Sequence, residues 1–261
     1  SDTNCEDPVA LDFVVQAILV ILNGETNDFQ EALDIVISTI IEDEIVDANL
    51  DDCSKGILGE LKTLQSTDIA KIIKRFGDLN APYDWEIKNN SLTSGNVAET
   101  DRRNNVQTFD YVTDIDSDYV NQATKIAIAR TLLHEMLHAY FISHIDDVNA
   151  GYQGDIRQFL LLWQYIRKNK PPVTSSEPAQ HEYMANKFIP PLKDALKEFD
   201  NASQSNQYYE DLAWGALYNT DTFNHFHPEG SVSKSRIINT NSAEDTNSTQ
   251  GGISPTGNPC P

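Results

Sequence analysis

The sequence predicts an α+β fold that is mainly helical, with a small sheet beside one long apolar helix. Apolar residues recur with a helical period through most of the first 76 residues. Between residues 83 and 115 apolar and polar residues alternate, which is typical of strands. An alanine-rich apolar run without glycine or proline then extends from about residue 121 to residue 143. This run predicts a helix that is buried on most sides.

The N-terminal region, residues 1–80, is expected to be entirely helical. Four helices are predicted, over residues 8–22, 29–41, 53–65 and 67–76. Pro8 lies in the first turn of the first helix and Asn23-Gly24 ends it. Ser66-Thr67-Asp68 precedes the last helix with side chains that cap helix N-termini.

The second region, residues 81–227, is expected to contain the sheet and the remaining helices. Two or three strands between residues 83 and 115 are followed by the long helix. Further helices are predicted over residues 152–167, 179–188, 192–199 and 208–217. Pro190-Pro191 separates the second of these helices from the third. Ser, Thr, Asn and Gly dominate residues 228–261 without a sustained period, so a loosely ordered C-terminal tail is expected.

The charge of the chain argues against a nucleic-acid partner. The chain has 19 Lys and Arg against 40 Asp and Glu, and the net charge of −21 repels phosphate and anionic membrane surfaces. Residues 1–54 contain fourteen acidic residues and no Lys or Arg. A solvated acidic face is expected there, with docking of a basic partner as the alternative. The apolar segment 10–22 is about half as long as a membrane span, so no span is expected.

The three cysteines allow one disulfide with one thiol left over, and they do not resemble a metal site. Cys5, Cys53 and Cys260 are far apart and include no CxxC pair. Their pairing cannot be read from the sequence, although Cys260 could fasten the tail. The chain begins with Ser1, which fits a processed exported protein or a domain of a longer one. A secreted or cell-surface location is therefore expected.

The main functional signal is the pair His134 and His138 in the long helix, with Glu135 directly after the first histidine. Residues four apart lie on one helix face, so both rings can bind the same ion, and Glu135 is rotated by about 100° beside them. Buried imidazoles need a partner, and Zn²⁺ is a natural one. Two hydrogen-bonded core histidines are the alternative.

Catalytic zinc requires a third protein ligand, which is expected downstream of the helix. His144 is too close in sequence, and His225 and His227 lie near the polar tail. His181 and Glu182 begin a predicted helix, and neighbouring helical residues point about 100° apart, so only one of them can bind. His181 is preferred because Glu182 could then orient the imidazole, and Glu182 remains the alternative third ligand.

Residues 105–217 resemble the HExxH zincin metallopeptidases. The resemblance is carried by His134-Glu135-Met136-Leu137-His138 and by His181-Glu182-Tyr183-Met184-Ala185-Asn186. The second stretch is similar to the Asn-Glu-x-x-Ser-Asp motif of gluzincins, which would make Glu182 the ligand. SprT-like and related bacterial zincins use a third histidine, which would be His181. The resemblance implies a zincin-like fold with an edge strand along the substrate groove.

The expected function is that of a zinc-dependent metallopeptidase with a peptide or protein substrate. The metal lowers the pKa of a bound water towards about 7, and Glu135 removes its proton as the general base. Tyr183, Tyr140, His225 or His227 could donate a hydrogen bond to the oxyanion. The alternatives are a non-enzymatic secreted interaction module with a structural zinc site, and a toxin or processing domain of a larger protein.

Overall fold

Eight helices and a four-stranded mixed sheet make up the part of the chain that the structure describes. The structure is a computed structural model that describes residues 18–19, 21–22, 24, 45–64, 69, 72–73, 84–102, 111–149 and 177–260, with the backbone alone for residues 144–149. This composition confirms the predicted α+β class.

The elements have the following bounds in chain order. The strands are β1 (Ile45–Val46), β2 (Trp85–Asn90), β3 (Ala98–Arg102) and β4 (Tyr111–Asp116). The helices are α1 (Asp52–Lys62), α2 (Ser117–Gln122), α3 (Lys125–Asn149), α4 (Glu177–Lys187), α5 (Ile189–Phe199), α6 (Asn206–Ala213), α7 (Asp221–Phe226) and α8 (Val232–Thr246). Among these, no helix of the described residues combines the length and apolarity needed to cross a bilayer.

The sheet has the order β1-β2-β4-β3, and α3 packs against its β3 and β4 strands. Strand β2 runs parallel to both β1 and β4, whereas β3 and β4 are antiparallel. On β4, Tyr111, Thr113 and Ile115 are buried and alternate with partly exposed residues. Three strands therefore lie where alternation predicts two or three, beside the long helix as expected.

The N-terminal region contains a strand that the sequence analysis did not predict, so the all-helical prediction is wrong at this point. Ile45 of β1 is buried and pairs with Trp85 of β2. A two-residue strand is too short to show an alternating pattern. Helix α1 confirms the helix predicted over 53–65, and the described residues within 8–22 and 67–76 are helical. The helices predicted over 29–41 and 152–167 lie outside the described residues.

Between residues 126 and 143, helix α3 is buried on all sides, as its apolar sequence predicts. Every side chain from residue 126 to residue 143 is buried. The helix begins at Lys125 rather than near residue 121, because α2 occupies the preceding segment and Ala123 ends α2 in an extended conformation. Pro190 and Pro191 lie in the first turn of α5, where no intrahelical N–H bond is lost, and they separate α5 from α4 as predicted.

The prediction of a loosely ordered C-terminal tail is wrong. Residues 232–246 form α8, and the side chains of Asn241 and Glu244 on it are 1% exposed. Glu244 accepts hydrogen bonds from Thr124 Oγ1 at 2.6 Å and from the Tyr208 hydroxyl at 2.8 Å. Polar contacts to buried partners hold this helix, which is why a search for an apolar period misses it.

Residues 256–260, which we call the C-terminal strap, contact the chain at the start of α3. The Lys125 N–H donates to the Asn258 carbonyl at 2.8 Å, and Thr124 forms a β-bridge with Pro259. Cys260 forms a disulfide with Cys53 of α1, with 5.9 Å between the Cα atoms. The strap thus provides a partner for a backbone donor that a helix N-terminus leaves unpaired. It also settles the cysteine pairing that the sequence leaves open.

Replacing Cys53 and Cys260 together by alanine is expected to lower the free energy of unfolding by about 2 to 5 kcal/mol. The disulfide joins residues 207 positions apart, so its loss frees a long loop in the unfolded chain. Urea denaturation of the oxidised and dithiothreitol-treated proteins measures the effect. Reduction should weaken the unsubstituted protein and leave the double variant unchanged. Equal unfolding midpoints in all four samples would show that the disulfide adds no stability.

Candidate metal centre

Three histidines from two helices bring their Nε2 atoms together. His134 and His138 occupy one face of α3, and His181 lies one turn into α4. The Nε2 atoms of His134 and His138 are 3.1 Å apart. His181 Nε2 lies 3.0 Å from that of His134 and 3.1 Å from that of His138. The three ligand atoms therefore form a nearly equilateral triangle.

This triangle cannot be satisfied by hydrogen bonds within it. The Nε2 atom of a neutral imidazole either carries a proton or offers a lone pair, but not both. Three Nε2 atoms have only these two states, so at least two of them are both protonated or both unprotonated. Such a pair cannot form a hydrogen bond. A cation among three lone pairs removes this conflict. Tetrahedral zinc, with Zn–N bonds of about 2.0–2.1 Å, separates its ligand atoms by about 3.3 Å, close to the distances observed.

Burial keeps the three imidazoles in the form that a metal requires. His134 and His138 are 6% and 7% exposed, and burial lowers the pKa of both. The pKa of His181 falls to about 4, first through burial and then through repulsion from His138. Neutral imidazole is the metal-binding form, since a protonated ring has no lone pair on Nε2. At neutral pH the site therefore presents lone pairs.

Gln180 fixes the tautomer of His138. The Gln180 side chain is buried, and its Oε1 atom hydrogen-bonds to His138 Nδ1. An amide oxygen only accepts, so Nδ1 carries the proton and Nε2 of the same ring keeps its lone pair towards the other histidines. Helix α4 thus supplies one histidine of the triangle and, from the preceding residue, the group that orients another.

Glu182, the alternative third ligand, faces away from the histidines. Its Oε2 atom accepts from the Asp221 N–H at 2.7 Å and its Oε1 atom from the Thr222 N–H at 3.0 Å. These are the first N–H groups of α7, so the carboxylate caps that helix, where a negative charge is favourable. The rotation between neighbouring helical residues brings His181, not Glu182, to the HExxH pair.

The weaker histidine candidates lie outside this triangle. His227 Nδ1 is 3.0 Å from Ser233 Oγ, and its ring packs edge-on against Trp214 with centroids 5.3 Å apart. His225 is exposed at the end of α7 beside Phe226. Neither belongs to the group of three. The side chain of His144 lies outside the described residues.

The two tyrosines proposed as oxyanion donors are buried in an aromatic cluster. The Tyr183 ring packs against Phe141 and Phe188 at centroid distances of 5.6 Å and 6.0 Å. The Tyr140 ring contacts Phe141 at 5.8 Å. Burial raises the pKa of the Tyr183 hydroxyl, which therefore keeps its proton at neutral pH. Both rings contribute to the core between α3 and α4.

Glu135 lies on α3 directly after His134 and is 6% exposed. Burial raises the pKa of its carboxyl group to about 7, and a hydrogen bond from Thr100 opposes this rise. Thr100 Oγ1 donates to Glu135 Oε2 at 2.7 Å. A cation held by the adjacent histidines would favour the charged carboxylate further. A carboxyl group with these properties can accept and return a proton near neutral pH.

Two residues that hold the site in place, Gln180 and Thr100, carry no clear signal in the sequence. In the sequence Gln180 is only a polar residue beside a candidate ligand. The contact of its side chain with His138 depends on how α4 packs against α3. Thr100 belongs to a predicted strand region, but its contact with Glu135 depends on strand register, which one sequence does not reveal.

Comparison of the chain with protein-family models, with curated proteins and with solved structures gives no match.

His181→Ala is expected to reduce zinc affinity by more than roughly 100-fold, which exceeds the usual effect of losing a residue that only orients a ligand. Glu182→Gln is expected to leave zinc affinity unchanged and to lower thermal stability, because it weakens the cap of α7. Zinc content after dialysis against a graded chelator series gives both affinities. Loss of zinc from Glu182→Gln before His181→Ala would contradict this assignment.

Gln180→Leu is expected to weaken zinc binding by about 10- to 100-fold, because His138 Nδ1 loses its acceptor. Gln180→Glu is the matched variant, since a carboxylate of the same length still accepts that proton. The two proteins are compared in the same competition with a chelator. An equal loss of affinity in both would show that Gln180 matters for packing and not for the tautomer of His138.

Proposed function

We propose that the chain is a zinc-dependent metallopeptidase of the HExxH zincin kind. The observation that carries this proposal is the convergence of three Nε2 atoms within 3.0–3.1 Å, with Glu135 beside them on the same buried helix. Catalytic zinc has three protein ligands and an open position, whereas structural zinc has four. Among the described residues, the group contains three histidines and no fourth His, Cys, Asp or Glu. This composition favours catalysis over the structural alternative.

The reaction proposed is hydrolysis of a peptide bond. Zinc in such a site supplies Lewis acidity and lowers the pKa of a coordinated water towards about 7. Glu135 accepts a proton as the water oxygen bonds to the scissile carbonyl carbon, and it then donates that proton to the leaving nitrogen. The C–N bond breaks and the products are a carboxylic acid and an amine. Burial strengthens the electrostatic effect of each charged group on this reaction.

Strand β3 supports a peptide as the substrate. It is at an edge of the described sheet, it packs beside α3, and its Thr100 contacts Glu135. An edge strand can pair with an extended peptide through main-chain hydrogen bonds, which requires little of the peptide's sequence. A peptide bound in this way would lie close to the general base.

A secreted or cell-surface location is proposed together with this function. The Cys53–Cys260 disulfide supports it, because disulfides persist in oxidising compartments. The acidic segment 1–54, for which a basic partner is the alternative hypothesis, lies largely outside the described residues.

Glu135→Gln is expected to retain zinc and to reduce the rate of peptide hydrolysis by about 100- to 10,000-fold, because an amide cannot accept the proton. A library of quenched fluorescent peptides measures the rate, and zinc content is determined on the same samples. Glu182→Gln is the matched control, since it makes the same chemical change in a carboxylate that faces α7. Removing zinc should abolish hydrolysis and adding it back should restore it. Full activity of Glu135→Gln would contradict the mechanism.

A further inference from the structure

We propose that Trp85, Thr113 and Thr100 form a hydrogen-bonded relay that positions the Glu135 carboxylate from the sheet. The three residues come from β2, β4 and β3, and we call them the sheet relay. The proposal rests on the proposed function, in which Glu135 is the general base. It assigns positioning roles to residues that lie on a different layer of the fold from the histidines.

The sheet relay is continuous from the middle of the sheet to the carboxylate. Trp85 Nε1 donates to Thr113 Oγ1 at 2.9 Å. The hydroxyl oxygens of Thr113 and Thr100 are 2.7 Å apart, and these residues are direct partners in the β3–β4 register. Thr100 Oγ1 then lies 2.7 Å from Glu135 Oε2. All three distances are those of well-formed hydrogen bonds.

The chemistry of the two ends sets the direction of these bonds. An indole N–H only donates, and an ionised carboxylate only accepts. With the carboxylate ionised, the Thr100 hydroxyl donates a hydrogen bond to Glu135 and accepts one from Thr113, which in turn accepts one from Trp85. All three bonds form together only in this direction. Aligned hydrogen bonds of this kind polarise and strengthen one another in a buried setting.

Burial makes the sheet relay a rigid support. Trp85 is 1% exposed, Thr113 is fully buried and Glu135 is 6% exposed. Thr100 also lies 3.4 Å from the Glu135 carbonyl oxygen, but the contact with Oε2 is much shorter. Among the described residues, Thr100 is the one that donates to this carboxylate, and it does so at Oε2. In the proposed reaction the other oxygen, Oε1, accepts the proton of the attacking water.

The HExxH motif alone does not fix the position of the glutamate carboxylate, and the sheet relay provides this constraint. A glutamate has several side-chain rotamers, and only some of them bring an oxygen to the attacking water. A misplacement of about 1 Å can reduce the rate by roughly 100-fold. Holding Oε2 from the sheet selects the productive rotamer before substrate binds.

The test compares Thr100→Val, which removes the hydroxyl at nearly constant volume, with Thr100→Ser, which keeps it. Thr100→Val is expected to lower kcat by about 10- to 100-fold with KM and zinc affinity unchanged. Thr100→Ser should remain within about threefold of the unsubstituted protein. Thr113→Val interrupts the sheet relay one step earlier and should lower kcat by a smaller factor. Thr249→Val is the matched control, because it makes the same change at an exposed residue outside the sheet.

Crystal structures of the zinc-loaded variants provide a readout besides activity. In Thr100→Val the Glu135 carboxylate should leave its position in the unsubstituted protein, and in Thr100→Ser it should stay. An unchanged carboxylate or an unchanged kcat in Thr100→Val would overturn the proposal. Equal losses in the Val and Ser variants would also overturn it, because they would indicate a role in packing.

The two proposals fail in different ways. If the unsubstituted protein hydrolyses no peptide in the library, the proposed function falls. The sheet relay is then judged by the carboxylate position in the Thr100→Val crystal structure, which requires no substrate. If the unsubstituted protein is active and Thr100→Val is equally active, the proposed function stands and the sheet relay falls.

Discussion

The burial of polar side chains along α3 is the constraint on which the rest of the structure depends. The buried stretch of this helix includes Arg130, Thr131, His134, Glu135 and His138. Each would be costly to bury without a partner. The partners come from four directions: α4 supplies His181 and Gln180, β3 supplies Thr100, α2 supplies Tyr119, and α8 supplies Asn241 and Asp245. The surrounding elements therefore provide hydrogen-bond partners for the polar side chains of α3 as well as covering its apolar ones.

Arg130 shows how the C-terminal region belongs to this arrangement. It precedes His134 by one turn, and its guanidinium donates to Asp245 at 2.7 Å and to Asn241 at 2.8 Å. The chain can pass this close only because residue 215 is glycine, since a Cβ atom there would lie 2.5 Å from Arg130 Cδ. The polar helix α8 is thus held by the charged Arg130 side chain of α3.

Local signals in the sequence predicted the local parts of the structure. The HExxH helix is apolar over many turns, the strands alternate, and His181 stands at the start of a recognisable helix, so each could be found from its own neighbourhood. Helix α8 could not be predicted in this way, because it is held by contacts of Asn241 and Glu244 with residues far away in the chain. The positions of Gln180 and Thr100 required the packing of α4 on α3 and the register of β3 on β4, which no single segment encodes.

The contact between the C-terminal strap and α3 determines when this helix can be completed during synthesis of the chain. Lys125, at the start of the helix that carries His134 and His138, has its backbone partner at residue 258. A nascent chain that has already exposed all three histidines still lacks this contact until the strap has left the ribosome. Contacts over such long separations are formed late in folding, because the loop-closure entropy must be paid first. The first turn of the helix that bears two of the three histidines is therefore completed only after residue 258 has been synthesised.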